Sequence, residues 1–269
     1  MSSRTTLHLR RSWLYAVGVI GLLFLNLPVL VIVPFSFSNS SFLEFPPKSW
    51  SLRWYEAFFS SQEWQAATSI SLTAAVLTTL LALPLGTAAA YGLHKSNSKW
   101  ATVLNGYIVS PSVVPVIIIA VGVYFLLAAV RLNNTIVGLV LAHSVLAIPF
   151  VVIAVAAGLK NFDFTLEKAA RSLGAGATST FFKITLPNIK RSLVTGGVLA
   201  FLTSLDEVVV ALFISSGPNS TLPRRMFASM RDQVDPTIAA ISTLLIVLVV
   251  IVLCLSTLMG SGWAQDEID

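Results

Sequence analysis

Two adjacent carboxylates, Asp206 and Glu207, stand in the middle of an apolar run, FLTSLDEVVVALF. A charge at the centre of a membrane-spanning helix costs about 2.5–3.5 kcal/mol on insertion scales, so such residues face a bundle interior or an aqueous path. Neighbouring side chains on a helix diverge by about 100°, which turns at least one of the two inward. One chemistry is structural, with the carboxylates satisfied by neighbouring helices, Ser204 or Thr203. The other is a translocation path lined by Asp206, Glu207 and Ser204 that favours a cation. His143 lies alone in another apolar run, where a hydrogen bond to a neighbouring helix competes with proton relay. A proton-coupled secondary transporter would use Asp206, Glu207 and His143 together.

A second stretch carries a different chemistry, that of docking. Leu166, Ala169, Ala170 and Leu173 recur at i, i+3, i+4 and i+7, one face of a helix. Thr165 is the expected N-cap, with Lys168 where a capping box has an acid. Gly174 and Gly176 predict a tight break, and a second short helix ending at Pro187 follows. The result is a surface helix-turn-helix over 165–187, with small residues outward and bases around them. No nucleophile, metal or phosphate constellation accompanies it, and no enzymatic activity is expected. The single cysteine, Cys254, sits in an apolar run and reads as a packing residue. No GxxxxGK[ST] loop is present, so energy would come from another chain.

The elements that position these residues follow from composition. Of 269 residues, 55% are hydrophobic and 11% charged, against about 25% charged in ordinary soluble domains. A membrane-spanning helix needs about 20 mostly apolar residues. Six stretches qualify, at about 13–35, 66–93, 103–130, 136–159, 192–214 and 237–259. The fold class is therefore all-α, a polytopic membrane protein of about six transmembrane helices forming one domain over 1–269, without repeats or low-complexity linkers. Arg4, Arg10 and Arg11 precede the first stretch, which is too long for a signal peptide and reads as a retained helix. Lys and Arg bias the connections eleven to six toward both termini being cytoplasmic. The net charge of +5 follows those connections and is no nucleic-acid footprint. Residues 52–64, with Trp54, Tyr55, Phe58, Phe59 and Trp64, read as an interfacial amphipathic stretch. Residues 215–236 read as an outer loop or re-entrant turn. Pro84, Pro111, Pro115 and Pro149 fall inside helical stretches, where each removes a backbone hydrogen bond. Pro111 and Pro115, flanked by Ser110 and Ser112, suggest a gate or a broken helix, with a packing kink as the alternative.

The 165–187 stretch resembles the EAA motif of binding-protein-dependent ABC importer permeases: an acid and two alanines, then a glycine, then I-x-L-P. Here Lys168, Ala169, Ala170, Gly174, Ile184, Leu186 and Pro187 occupy those positions. Lys168 replaces the acid, and Glu167 stands one residue earlier. SLRWYEAFF, SPSVVP and SLDEVVVALF extend the likeness over most of the chain, toward spermidine/putrescine-type, PotC-like permeases. The resemblance implies an ABC type I importer bundle whose coupling helix sits in a groove of an ATP-hydrolysing subunit. It further implies a second homologous permease, two ATP-binding cassette subunits carrying ATP and magnesium, a periplasmic solute-binding protein, and a bacterial inner-membrane location. No cofactor is expected on this chain itself. The solute class implied is a polyamine or related cationic amine.

Overall fold

The computed structural model describes residues 12–41, 44–96, 98–232 and 235–261. Arg4, Arg10 and Arg11 lie outside them. Among the described residues the backbone is helical, and the β pairing recorded is an isolated bridge between Ser38 and Trp50. Two compact units share the chain, one of Met1–Ser61 with Asp232–Val247, the other of Gln62–Arg231 with Leu248–Asp269.

In the first unit, helix α1 (Ser12–Ser36) is apolar on every side and carries Pro28 and Pro34 internally. A helix hydrophobic all round belongs in lipid or against other membrane helices. The chain then folds back. Tyr55 Oη and Ser36 Oγ share a hydrogen bond of 2.7 Å, and Arg53 donates to the carbonyl of Asn39 at 2.8 Å. These contacts fix the amphipathic helix α2 (Arg53–Ser60), which buries Phe58 and leaves Phe59 exposed.

The second unit is built on three helices, α3 (Gln62–Lys95), α6 (Ile136–Lys160) and α10 (Lys190–Leu205). Lipid is as apolar as leucine, so close packing of small residues rather than water exclusion holds such helices together. α3 accordingly buries Ala74, Ala75, Ala82, Gly86 and Ala90, and α10 buries Gly196 and Ala200. Val151, Val152, Val155 and Leu159 of α6 fill the space against them. Pro84 and Pro149 sit within α3 and α6 without ending either helix.

The expected crossings at 103–130 and 192–214 are not single helices. Among the described residues, four unbroken helices are long and apolar enough to span, and a fifth candidate is a bent pair. That pair is α4 (Lys99–Val109) with its 3₁₀ turn Ser110–Ser112, and α5 (Val116–Ala129), turned through 98° at the break. Pro115 has no N–H to give and disfavours helical geometry in the residue before it, so the helix ends between the two prolines. The 192–214 stretch divides into α10 and a short α11 (Val209–Ile214), with residues 206–208 between them. α11 packs beside α5, where Val210, Ala211 and Ile214 meet Ala120 and Leu127.

The expected loop at 215–236 contains an amphipathic helix, α12 (Leu222–Asp232). Pro223 falls within that expected loop, yet it occupies the first helical turn, where its missing N–H costs nothing. Leu222 N donates to Ser71 Oγ of α3 at 2.7 Å, and Arg225 pairs with Glu63 of the same helix. The final helix is α13 (Thr237–Ser261), on which Cys254 is exposed.

Candidate functional site

The 165–187 stretch folds as a helix-turn-helix. α7 (Thr165–Ser172) has Phe164 at its N-cap, with no side-chain cap bond, and Thr165 is its first residue and not the cap that its position suggests. The Asp163 carboxylate accepts from Thr165 N at 2.9 Å and from Thr165 Oγ1 at 2.6 Å. Those two bonds hold the Asp163 carboxyl below the usual carboxylate range. α7 ends in a Schellman pattern, with Gly174 N bonded to Arg171 O and Ala175 N to Ala170 O. Gly174 has φ +91°, a conformation open to glycine and strained for other residues. The chain continues through α8 (Ala177–Thr180), a π turn Phe181–Thr185 and the single turn α9 (Leu186–Asn188). Pro187 therefore does not stop a helix. It opens the turn that leads, one residue on, into α10 at Lys190.

The two faces of this element differ in kind. Leu173 is 90% exposed, and Ala169, Gly174, Phe182 and Pro187 are exposed with it. Lys168 and Arg171 point outward beside them, while Ala170, Ile184 and Leu186 are half-buried. Glu167 faces inward and is 3% exposed. Its carboxylate accepts hydrogen bonds from Tyr91 Oη at 3.0 Å, from Lys95 Nζ and from Thr185 Oγ1. Burial opposes the charge, and the three donors outweigh it, holding the carboxyl below its ordinary range. The ring of Tyr91 packs on Phe181 at 4.7 Å between centroids, and His94 stacks on Phe164 at 5.1 Å. Sequence reasoning placed Lys95 only in a charge count and did not single out Tyr91 or His94. Their spacing at the end of α3, facing three aromatic or acidic residues of 164–181, is a pairing that only the tertiary fold supplies.

The carboxylate pair lies at the break between α10 and α11. Helix α10 ends at Leu205, so Asp206 and Glu207 are not 100° apart on one helix. Glu207 is buried and its carboxylate accepts from Val210 N at 2.9 Å and Ala211 N at 3.0 Å. It thereby satisfies the first donors of α11. His143 of α6 is fully buried beside it, with Nδ1 2.8 Å from Ser204 Oγ. Ser204 reaches Thr78 of α3 at 3.4 Å, so three helices meet at this polar cluster. Asp206 is exposed. The four residues Ser204, Asp206, Glu207 and His143 are thus brought to one level, and the 165–187 element lies elsewhere in the chain. Among the described residues, no group of three His, Cys, Asp or Glu is placed to hold a metal.

Residues 82–263, which include both sites, match the family of binding-protein-dependent transport system inner membrane components. The chain belongs to that family. This permease is 34% identical over 250 residues to the putrescine transport system permease protein PotI of Escherichia coli K12, covering 88% of its own length and 86% of the relative's. It is 30% identical over 237 residues to the spermidine/putrescine transport system permease protein PotC of Haemophilus influenzae, at 88% and 91% coverage. Its fold superposes with a TM-score of 0.75 on a chain of a bacterial ABC transporter involved in importing alginate, at 14% identity and 96% and 98% coverage. The permease is thus an inner-membrane transport component with the fold of ABC importer subunits. The proton-coupled alternative built on Asp206, Glu207 and His143 gains no support from these relatives.

Proposed function

We propose that the chain forms half of the translocation path of an ATP-driven importer for a small cationic amine of the polyamine class. The observation carrying the solute class is the 34% identity to a putrescine system permease across 88% of this chain. The exposed carboxylate of Asp206 at a break in the last-but-one apolar stretch supports it, since an unneutralised acid within a membrane span offers counter-charge to a cation. The permease pairs with a second homologous permease, two ATP-binding cassette subunits that bind ATP and magnesium, and a periplasmic solute-binding protein. The face of 165–187 bearing Lys168, Ala169, Gly174 and Leu173 lies in the groove of an ATPase subunit, in the manner of an amphipathic helix in a groove. Glu167, Ala170, Ile184, Leu186 and Pro187 shape and support that face. Both termini and this element are cytoplasmic. The 98° bend at Pro111 and Pro115 is where the path opens and closes.

The test is uptake in vesicles reconstituted with the permease pair and the ATPase subunits, with the binding protein supplied. Labelled putrescine should accumulate only with ATP and be displaced by spermidine. Accumulation driven by a proton gradient without ATP would overturn the reading.

A further inference from the structure

We propose that Glu167 is a positioning residue that latches the coupling element onto the end of α3, making α3 the rod through which that element communicates with the opposite end of the bundle. This rests on the importer reading above. The element's covalent neighbours are α6 and α10, yet its buried carboxylate is held by Tyr91 and Lys95 of α3, 76 and 72 positions away. Lys95 also donates to Tyr91 Oη at 2.7 Å, and its ammonium lies 4.7 Å from the centre of that ring. Thr185 of the π turn closes the group from the other side. Burying a carboxylate is costly unless its lone pairs are filled by good donors, and charge-assisted bonds are the strong ones. A segment that merely joined two crossings would leave Glu167 in water beside Lys168. Instead one carboxylate joins α3, α7 and the π turn, and π turns recur at functional sites. Two ring contacts from α3, Tyr91 on Phe181 and His94 on Phe164, flank the carboxylate.

The far end of the same helix is fastened too. α3 is 34 residues long, about 50 Å at 1.5 Å per residue. Its first turns hold α12 through Glu63 with Arg225 and through Ser71 with Leu222 N. Between these ends α3 packs closely on α6 and α10, so a displacement at Glu167 reaches α12 along one continuous helix, a route that does not rely on the loops.

The experiment uses the assembled complex with Glu167→Gln, Lys95→Gln, the double variant and Lys95→Arg. Co-purification of the ATPase subunits reports assembly, and ATP hydrolysis with and without loaded binding protein reports coupling. Assembly should persist in all four. The stimulation by loaded binding protein should fall about fivefold or more in each single Gln variant, the lower range of allosteric coupling. The double variant should be no worse than the poorer single, because either change already empties the pair, and Lys95→Arg should retain stimulation. Unchanged stimulation in the single variants, or losses that add in the double, would overturn the latch. Should Glu167→Gln fail to assemble, Lys95→Gln decides: assembled with stimulation lost supports the latch, assembled with stimulation intact overturns it. A wild-type complex that binds no ATPase subunit would instead sink the importer reading itself.

Discussion

The Nε2 atom of His143 lies 3.7 Å from Oε2 of Glu207, with both side chains buried. At that distance the two form no hydrogen bond. Glu207 finds its bonds instead in the backbone of α11, and His143 finds one in Ser204. These bonds tie α6, α10 and α11 together, and His143 Nε2 is left buried without a hydrogen-bond partner. Asp206, one residue before Glu207, is left on the surface of the chain. Two adjacent acids do different work, one building the break and the other projecting from it.

The two acids should separate by variant. Glu207→Gln replaces one acceptor oxygen with a donor that faces backbone N–H groups, so thermal stability in detergent should fall by about 1–3 kcal/mol, the cost of an unsatisfied buried group. Asp206→Asn removes an exposed charge and should leave abundance and stability unchanged while uptake falls about tenfold, the equivalent of about 1.4 kcal/mol. Loss of stability in Asp206→Asn with uptake per folded complex preserved would return that residue to a packing role.

Acid should weaken the Glu167 cluster. The carboxyl is held below its ordinary value in the folded protein, so the unfolded chain binds the proton more readily. The stabilisation is present above the unfolded carboxylate range and is lost as pH falls through the depressed folded value. As pH falls from 7 to below the ordinary carboxylate range, the wild type should therefore lose more thermal stability than Glu167→Gln, which has no carboxyl to protonate there. Equal losses in the two proteins would mean that the carboxylate is not ionised in its bonded state.

Sidedness follows from the basic connections. In a Cys254→Ser background, Asn161→Cys and Ser216→Cys place thiols at exposed positions at the ends of α6 and α11. An impermeant maleimide applied from outside should label Ser216→Cys and leave Asn161→Cys untouched until the membrane is opened. Labelling of both from outside would remove the cytoplasmic assignment of 165–187.

The helix content, the apolar stretches and the register of the 165–187 element were legible because each rests on local chemistry: hydrophobic length, small-residue spacing and glycine at a left-handed turn. Pro111 and Pro115 announced their break for the same reason. What the sequence could not convey was partnership. Glu167 looks like a solvated acid until Tyr91 and Lys95 arrive from another helix. Asp206 and Glu207 look equivalent until α10 ends before them. Pro187 reads as a helix stop, because a proline in a first turn and a proline that stops a helix have the same local spelling. α12 was missed because the glycine, prolines and arginines of 215–236 weigh toward a loop, although Leu222, Met226, Phe227 and Met230 keep a helical spacing.

Packing of the three central helices offers the last test, independent of transport. A Cβ added at Gly86 of α3 would lie 2.7 Å from both Cβ and Cγ1 of Val151 on α6, closer than carbon atoms approach without displacement. Val151 is fully buried, so it cannot swing into open space, and the helices themselves must part. Gly86→Ala should lower stability in detergent by about 1–3 kcal/mol, the usual penalty of overpacking, despite the better helix propensity of alanine. Gly106→Ala in α4 is the control. A Cβ there meets nothing within 4 Å, so the propensity gain stands alone and stability should hold or rise by up to about 1 kcal/mol. Pairing Gly86→Ala with Val151→Gly moves the side chain across the interface and should cost less than the two single losses added together, because the clash disappears in the double variant. The measurement is the midpoint of thermal unfolding for the five proteins including wild type. Strict additivity, or a Gly86→Ala midpoint equal to that of Gly106→Ala, would show that α3 and α6 are not in close contact at this position.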